Sequence, residues 1–198
     1  MSERVRLVSA LVANHHGPWI VDDIRRSPDD EFHRYEIDDG VLIVSPRPAS
    51  YHQAALLEIA VLLREPARTA GLEVLPEVEI VADHRDDWLK VPDIAVVTRD
   101  AFGSEPPAHE AADVALAVEI SGSRQSRHRA FGEKLHAYAE AGIRHYWVLE
   151  LAPAPKLTVF ELVGTEYKQI ASSRELIELS RPFPVEIDPG RLTRPRRG

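Results

Sequence analysis

The chain has 198 residues, of which 44% are apolar and 28% charged, with 10 Gly and 15 Pro. That length and composition suit one soluble folded domain, 1–198, and exclude disordered, collagen-like and fibrous classes. Cysteine is absent, which excludes disulfide frameworks, thiolate zinc sites, iron–sulfur clusters and cysteine nucleophiles and makes the cytoplasm the default location. Thirty-two acids against 24 bases give a net charge of −8, so a nucleic acid would have to meet a local basic patch.

The apolar stretch Val8–Val12 is broken by Asn14, His15 and His16, too short for a signal-peptide core, and no segment approaches the ~18 apolar residues of a membrane span. No membrane partner is expected. Short apolar pieces between 18 and 36 lead to a turn at Asp38-Asp39-Gly40 and a strand at Val41–Val44, closed by Pro46 and Pro48. Ser50-x-x-Gln53 has the form of a capping box, and Ala55, Leu56, Ile59, Ala60, Leu62 and Leu63 keep helical spacing up to Pro66. Alternation over Leu72–Val81 and again over Trp88–Val97, with a polar turn at Ala82–Asp87, predicts a hairpin. Asp100–Asp113, with Gly103, Pro106 and Pro107, reads as a loop. Val114–Ile120 is apolar on both faces until Glu119 and predicts a central, doubly covered strand. A helix from about 125 to 141 should stop at Gly142 in a left-handed cap, and Tyr146–Leu149 and Leu157–Phe160 supply two more strands. The fold class is mixed α/β.

The chemistry gathers on two acids. Asp93 opens the strand Ile94–Val97 and Glu119 lies near the end of the strand from Val114; antiparallel pairing would place both carboxylates at one end of the sheet. Like charges that close raise each other's pKa, which a divalent metal would relieve. Taken as residues alone, the two acids read as well as strand ends facing water. Lys134 falls on the helix stripe Ala130, Ala137, Tyr138 and Ala141 directed at the sheet, either seeking a carboxylate or extending its ammonium past the stripe's edge. Acid, acid and ammonium together suit metal-assisted phosphodiester hydrolysis, in which the ammonium stabilises developing charge.

The run from Tyr35-Glu36 through Asp39-Gly40, Val41–Pro46 and His52-Gln53, the stretches Val91–Val97 and Val118–Ser121, then Glu133-Lys134 through Ile143 and His145–Leu149, resemble the bacterial putative restriction endonuclease family, the Uma-two-like branch of the PD-(D/E)xK nucleases. The resemblance covers about 18–162. It implies a restriction-endonuclease-like mixed β-sheet flanked by helices and a Mg- or Mn-dependent endodeoxyribonuclease. Asp93 and Glu119 would be the metal ligands. Lys134 would stand in, from the next helix, for the lysine that Ser121 replaces. Glu36 and His52 match further family positions that would line the site; read locally, Glu36 is a solvated residue before a turn and His52 serves a helix start.

Arg124, Arg127, His128 and Arg129 adjoin this site and either grip DNA phosphates or solvate a helix start. Arg191, Arg194, Arg196 and Arg197 form a basic tail over about 191–198, read as unstructured, that would add nonspecific affinity. Asp83–Asp87 reads as a turn, and Trp88, Trp147 and Tyr146 as core. HExxH, GxxxxGK and GxSxG are missing, which removes zincin, P-loop and α/β-hydrolase readings. Two alternatives to the nuclease stay open: a non-catalytic DNA- or protein-binding member of the same fold, and a hydrolase of a smaller phosphate ester. A homodimer is likewise left open.

Overall fold

Cover on both faces explains why the run from Val114 carries so little polarity: it becomes a middle strand of a six-stranded sheet. The computed structural model describes residues 11–13, 15–27, 30–83 and 85–192. Its helices are α1 (Val21–Arg25), α2 (Ser50–Thr69), α3 (Arg99–Gly103), α4 (Arg124–Phe131) and α5 (Glu133–Glu140). The strands are β1 (His33–Asp38), β2 (Val41–Pro46), β3 (Leu72–Pro76), β4 (Ile80–Val81), β5 (Leu89–Lys90), β6 (Ile94–Thr98) and β7 (His109–Glu110). They continue with β8 (Val114–Ser121), β9 (His145–Glu150), β10 (Lys156–Val163), β11 (Glu166–Ser173), β12 (Ile177–Leu179) and β13 (Val185–Ile187).

The main sheet has the order β11-β10-β9-β8-β6-β3, with β8 and β9 parallel and the other neighbours antiparallel. A second sheet runs β2-β1-β5-β4-β7, and β12 pairs with β13. On one face of the main sheet, the stripe Ala55, Ile59, Leu63 and Ala67 of α2 packs on Ile94, Val96, Leu116, Val118 and Trp147. On the other, Ala130, Ala137 and Tyr138 of α4 and α5 pack on Ala95, Ala117, Tyr146 and Val148. Strand alternation therefore sends Asp93 and Glu119, odd-numbered like Ala95 and Ala117, toward α4 and α5. A small core of Trp19, Val21, Ile37 and Leu89 holds the second sheet.

The structure departs from the sequence expectations at four places. The 72–97 hairpin is split between sheets: β3 pairs with β6, whereas β4 and β5 pair in the second sheet. The bend falls at Pro76 and Glu77, whose φ is 51°, and again at Pro92, where a proline cannot continue the ladder. Helix α2 starts from Ala49 without a side-chain cap and runs through Pro66, a last turn stabilised by fully buried Ala67. The 100–113 loop contains α3, capped by Thr98, and β7. The helix expected over 125–141 breaks at Gly132, where a Cβ would lie 2.9 Å from the His128 carbonyl oxygen; Gly142 closes α5 with φ +76°. No helix among the described residues is long and apolar enough to cross a membrane.

Candidate active site

Ile94 pairs with Val118 across β6 and β8, so Asp93 and Glu119 oppose each other one position further on. The chain leaves the sheet at Pro92-Asp93, and Asp93 itself takes over the pairing: its Oδ2 accepts the Ile120 N–H at 2.6 Å. His52, in the first turn of α2, donates from Nε2 to the same oxygen at 3.1 Å and to the Ile120 carbonyl at 3.0 Å. Since a carbonyl only accepts, that nitrogen carries a proton; the other, Nδ1, is buried with no partner among the described residues. Asp93 Oδ1 accepts Arg34 Nη1 at 3.1 Å.

Lys134 is 6% exposed. Its ammonium donates to Glu119 Oε1 at 2.7 Å and to Glu36 Oε1 at 2.6 Å. Tyr138, one helical turn on, donates to Glu119 Oε1 at 2.8 Å. Glu36 also accepts the Val91 N–H at 2.9 Å and Arg129 Nη2 at 3.1 Å, and Arg129 Nη1 donates to Ser45 Oγ at 2.9 Å. No described residue donates to Glu119 Oε2, and that side chain keeps 10% exposure.

The three carboxyls respond differently to this setting. Burial pushes Asp93 up, but the His52 hydrogen bond and charge, Arg34 and the Ile120 N–H together hold it below the ordinary range. Burial acts likewise on Glu36 and is outweighed by the Lys134 charge and hydrogen bond and the Val91 N–H. Glu119 is raised: burial comes first, Lys134 offsets it in part, and the charges of Asp93 and Glu36 add to it. Lys134 is also raised, because Glu119 and Glu36 outweigh the opposing effect of burial. Burial lowers His52, yet its hydrogen bond and charge pairing with Asp93 raise it on balance.

Asp93, Glu119, Lys134, Glu36 and His52 thus line one cavity of about 580 Å3. Arg129 lines it too, whereas Arg127 pairs with Glu150 at 2.5 Å and lies over the Phe131 ring, and Arg124 is exposed outside it. Ser121 turns its hydroxyl to Ser126 Oγ at 3.2 Å. Asp83–Asp87 forms part of the connection between β4 and β5, with Arg85 pairing to Asp87 and Asp39. Trp88, Trp147 and Tyr146 are buried. Of the basic tail only Arg191 is described; Arg194, Arg196 and Arg197, like His84 of the turn, lie outside the described residues.

Sequence reasoning missed Arg34 and the Tyr138 hydroxyl. The available signals were strand period, which puts Arg34 on the face of Glu36, and helical period, which puts Tyr138 four residues from Lys134.

A model of the putative restriction endonuclease family, Uma2, matches residues 21–193. The chain belongs to this family. The crystal structure of a putative nuclease belonging to DUF820 from Anabaena variabilis ATCC 29413 is similar at a TM-score of 0.60 and 17% identity, over 82% of this chain and 89% of that one. The fold is accordingly the restriction-endonuclease-like mixed α/β architecture, with the sheets flanked by helices. No curated protein matches the chain.

Among the described residues no group of three or more His, Asp or Glu side chains is disposed to hold a metal ion by itself. The chemistry of the donor set nevertheless fits Mg2+, which takes one or two carboxylates and fills its octahedron with water and phosphate oxygen. Asp93 and Glu119 are two such carboxylates, and among the described residues Glu119 Oε2 has no donor.

Proposed function

We propose that the Uma2 chain is a divalent-metal-dependent phosphodiester hydrolase, an endodeoxyribonuclease using Mg2+ or Mn2+, with Asp93 and Glu119 as metal ligands and Lys134 as the charge stabiliser. The observation that carries this reading is the Lys134 ammonium, buried against Glu119 in a cavity that Asp93 also lines. A divalent ion, when bound, would polarise the phosphate and lower the pKa of a coordinated water. Lys134, kept protonated by Glu119 and Glu36, would turn a donor to phosphate oxygen as charge builds there. His52 orients Asp93, and Arg129 offers a phosphate contact from the cavity wall. Arg124, exposed at the start of α4, would contact flanking phosphates; Arg127 would first have to release Glu150. The proposal places the protein in the cytoplasm with DNA as partner, which the cysteine-free composition suits.

The second reading, hydrolysis of a smaller phosphate ester, is favoured by the cavity volume of about 580 Å3, within the size range of small-ligand pockets, and by the net charge of −8. Supercoiled plasmid and bis(4-nitrophenyl) phosphate, each incubated with Mg2+ or Mn2+, test both. Nicked and linear plasmid is expected with the wild type and none with Asp93→Asn, which keeps an oxygen for the Ile120 N–H but loses the charge. Hydrolysis of the small ester alone would favour the second reading, and DNA bound but never cut a binding module. Cleavage undiminished in Asp93→Asn would place the active site elsewhere.

A further inference from the structure

Both oxygens of Asp93 already accept hydrogen bonds from described residues. Oδ2 is taken by the backbone N–H of Ile120 and by His52, and His52 is itself fixed by the Ile120 carbonyl. Among the described residues Oδ1 is taken by Arg34 alone, whose guanidinium would repel a cation approaching that oxygen. Of these donors, Arg34 is the one with a second carboxylate to hold it, beside a 3.4 Å contact from Nη1 to the Val91 carbonyl. It is a long side chain from β1 with a second carboxylate partner, Glu77, already in contact through Nη2. Glu77 is 22% exposed at the bend after β3 and has Arg47 Nη1 4.0 Å from its other oxygen. Arg34 can therefore swing off Asp93 without losing its counter-ion. It also lines the cavity, and a phosphate offers a guanidinium a two-pronged, doubly charge-assisted pairing.

We propose that Arg34 is a positioning residue that couples metal binding to phosphate binding: it occupies Asp93 Oδ1 until a phosphodiester enters the cavity and draws it away, so that metal and substrate bind cooperatively. The proposal rests on the metal-dependent reading of this site. Binding linkage requires reciprocity, so the factor by which the phosphodiester tightens the metal is the factor by which the metal tightens the phosphodiester.

Mn2+ binding followed by electron paramagnetic resonance, with and without a short phosphorothioate oligodeoxynucleotide that resists cleavage, is the test. In the wild type the oligonucleotide should tighten Mn2+ by about tenfold, within the range of ordinary coupling. Arg34→Met should bind Mn2+ about tenfold tighter than the wild type without oligonucleotide and lose most of the coupling. Glu77→Gln leaves Arg34 with Asp93 as its remaining carboxylate partner, so Mn2+ alone should bind more weakly and the coupling should persist; it keeps the idea testable if Arg34→Met fails to fold. Mn2+ affinity that ignores the oligonucleotide in the wild type, or that is weaker in Arg34→Met and unchanged in Glu77→Gln, overturns the role of Arg34 while leaving the metal site standing. A wild type that binds no Mn2+ under either condition overturns the metal reading, and this proposal with it.

Discussion

Replacing Lys134 with Met removes the one ammonium that Glu36 and Glu119 share while keeping most of the volume of its stem. Breaking a buried ion pair from one side costs about 3–5 kcal/mol, because the partner's charge stays buried. Here the lower end applies, since Glu36 retains Arg129 and the Val91 N–H, and Glu119 retains the Tyr138 hydroxyl. A loss of about 3 kcal/mol corresponds, at roughly 2–4 °C per kcal/mol for a chain of this length, to a melting temperature lower by about 6–12 °C.

The loss should depend on pH. Glu119 is already raised above its ordinary value of 4.5, and without Lys134 it rises further. An acid whose folded pKa exceeds its unfolded one binds more protons when folded. Its contribution to stability is complete below the unfolded pKa and is lost as pH rises through the folded one. Lys134→Met should therefore be destabilised less at about pH 5.5 than at about pH 8, as read by urea unfolding followed through the fluorescence of buried Trp88 and Trp147. Cleavage should also fall, by about 100-fold if the ammonium acts mainly in the transition state. A variant that melts within about 1 °C of the wild type at both pH values would refute the claim that this lysine neutralises the carboxylate cluster.

His52→Gln should lose the charge pairing with Asp93. Because the folded pKa of His52 is raised above 6.5, the wild-type advantage should be complete below about pH 6 and shrink as pH rises through the folded value; a stability difference that is flat or grows with pH would contradict it. Gly132→Ala should cost about 1–3 kcal/mol in denaturant unfolding, since its Cβ meets the His128 carbonyl oxygen and the backbone must shift. That shift displaces α5, so Gly132→Ala should weaken cleavage although it touches no reacting atom; unchanged stability and unchanged rate would mean that α4 and α5 absorb the methyl freely.

The main sheet was legible because its central strands are covered on both faces, which leaves Val114–Ile120 with no polar residue before Glu119, and because α2 repeats its apolar stripe over four turns. The second sheet was not. β4, β5 and β7 have two residues each, too few for any period to register, and their pairing follows from bends at Pro76-Glu77 and Pro92. β11 is an edge strand with exposed residues on both sides, so its alternation is weak. The helix over 125–141 was legible as a stripe, but its break depends on one backbone contact to Gly132, which no periodicity encodes.

Within the site, Asp93, Glu119 and Lys134 could be assembled from strand pairing and helix phase, which are local properties. Glu36 could not, because its neighbours in sequence give it the look of a solvated residue before a turn. What buries it is Lys134, 98 residues away, and Arg129, 93 residues away, and those contacts exist only because β1 is brought against α4 and α5. Asp93 shows the converse: its place at a strand end suggested a carboxylate with little structural duty, yet it caps the Ile120 N–H and pairs with Arg34 and His52. Asp93→Ala would consequently disturb the fold as well as the chemistry, by leaving the Ile120 N–H without its acceptor, His52 without its carboxylate and Arg34 with Glu77 as its remaining one.

The same pairing explains how a chain of net charge −8 can present a site to a polyanion. The cavity holds the carboxylates Glu36, Asp93 and Glu119, and against them stand Lys134, Arg129 and Arg34, with His52 adding charge when protonated and Arg47 also lining the cavity. Three carboxylates against four cationic side chains leave the lining with one positive charge in excess, two when His52 is protonated, and the acidic surplus lies outside it. That small excess favours phosphate only modestly, so under the proposed function a divalent ion would add substantially to the positive potential a phosphodiester meets there. Burial sharpens that dependence, since a charge added to a poorly hydrated site acts more strongly than one added at the surface. By reciprocal linkage, a phosphodiester bound in the cavity would favour the ion as much as the ion favours the phosphodiester, with neither required to arrive first.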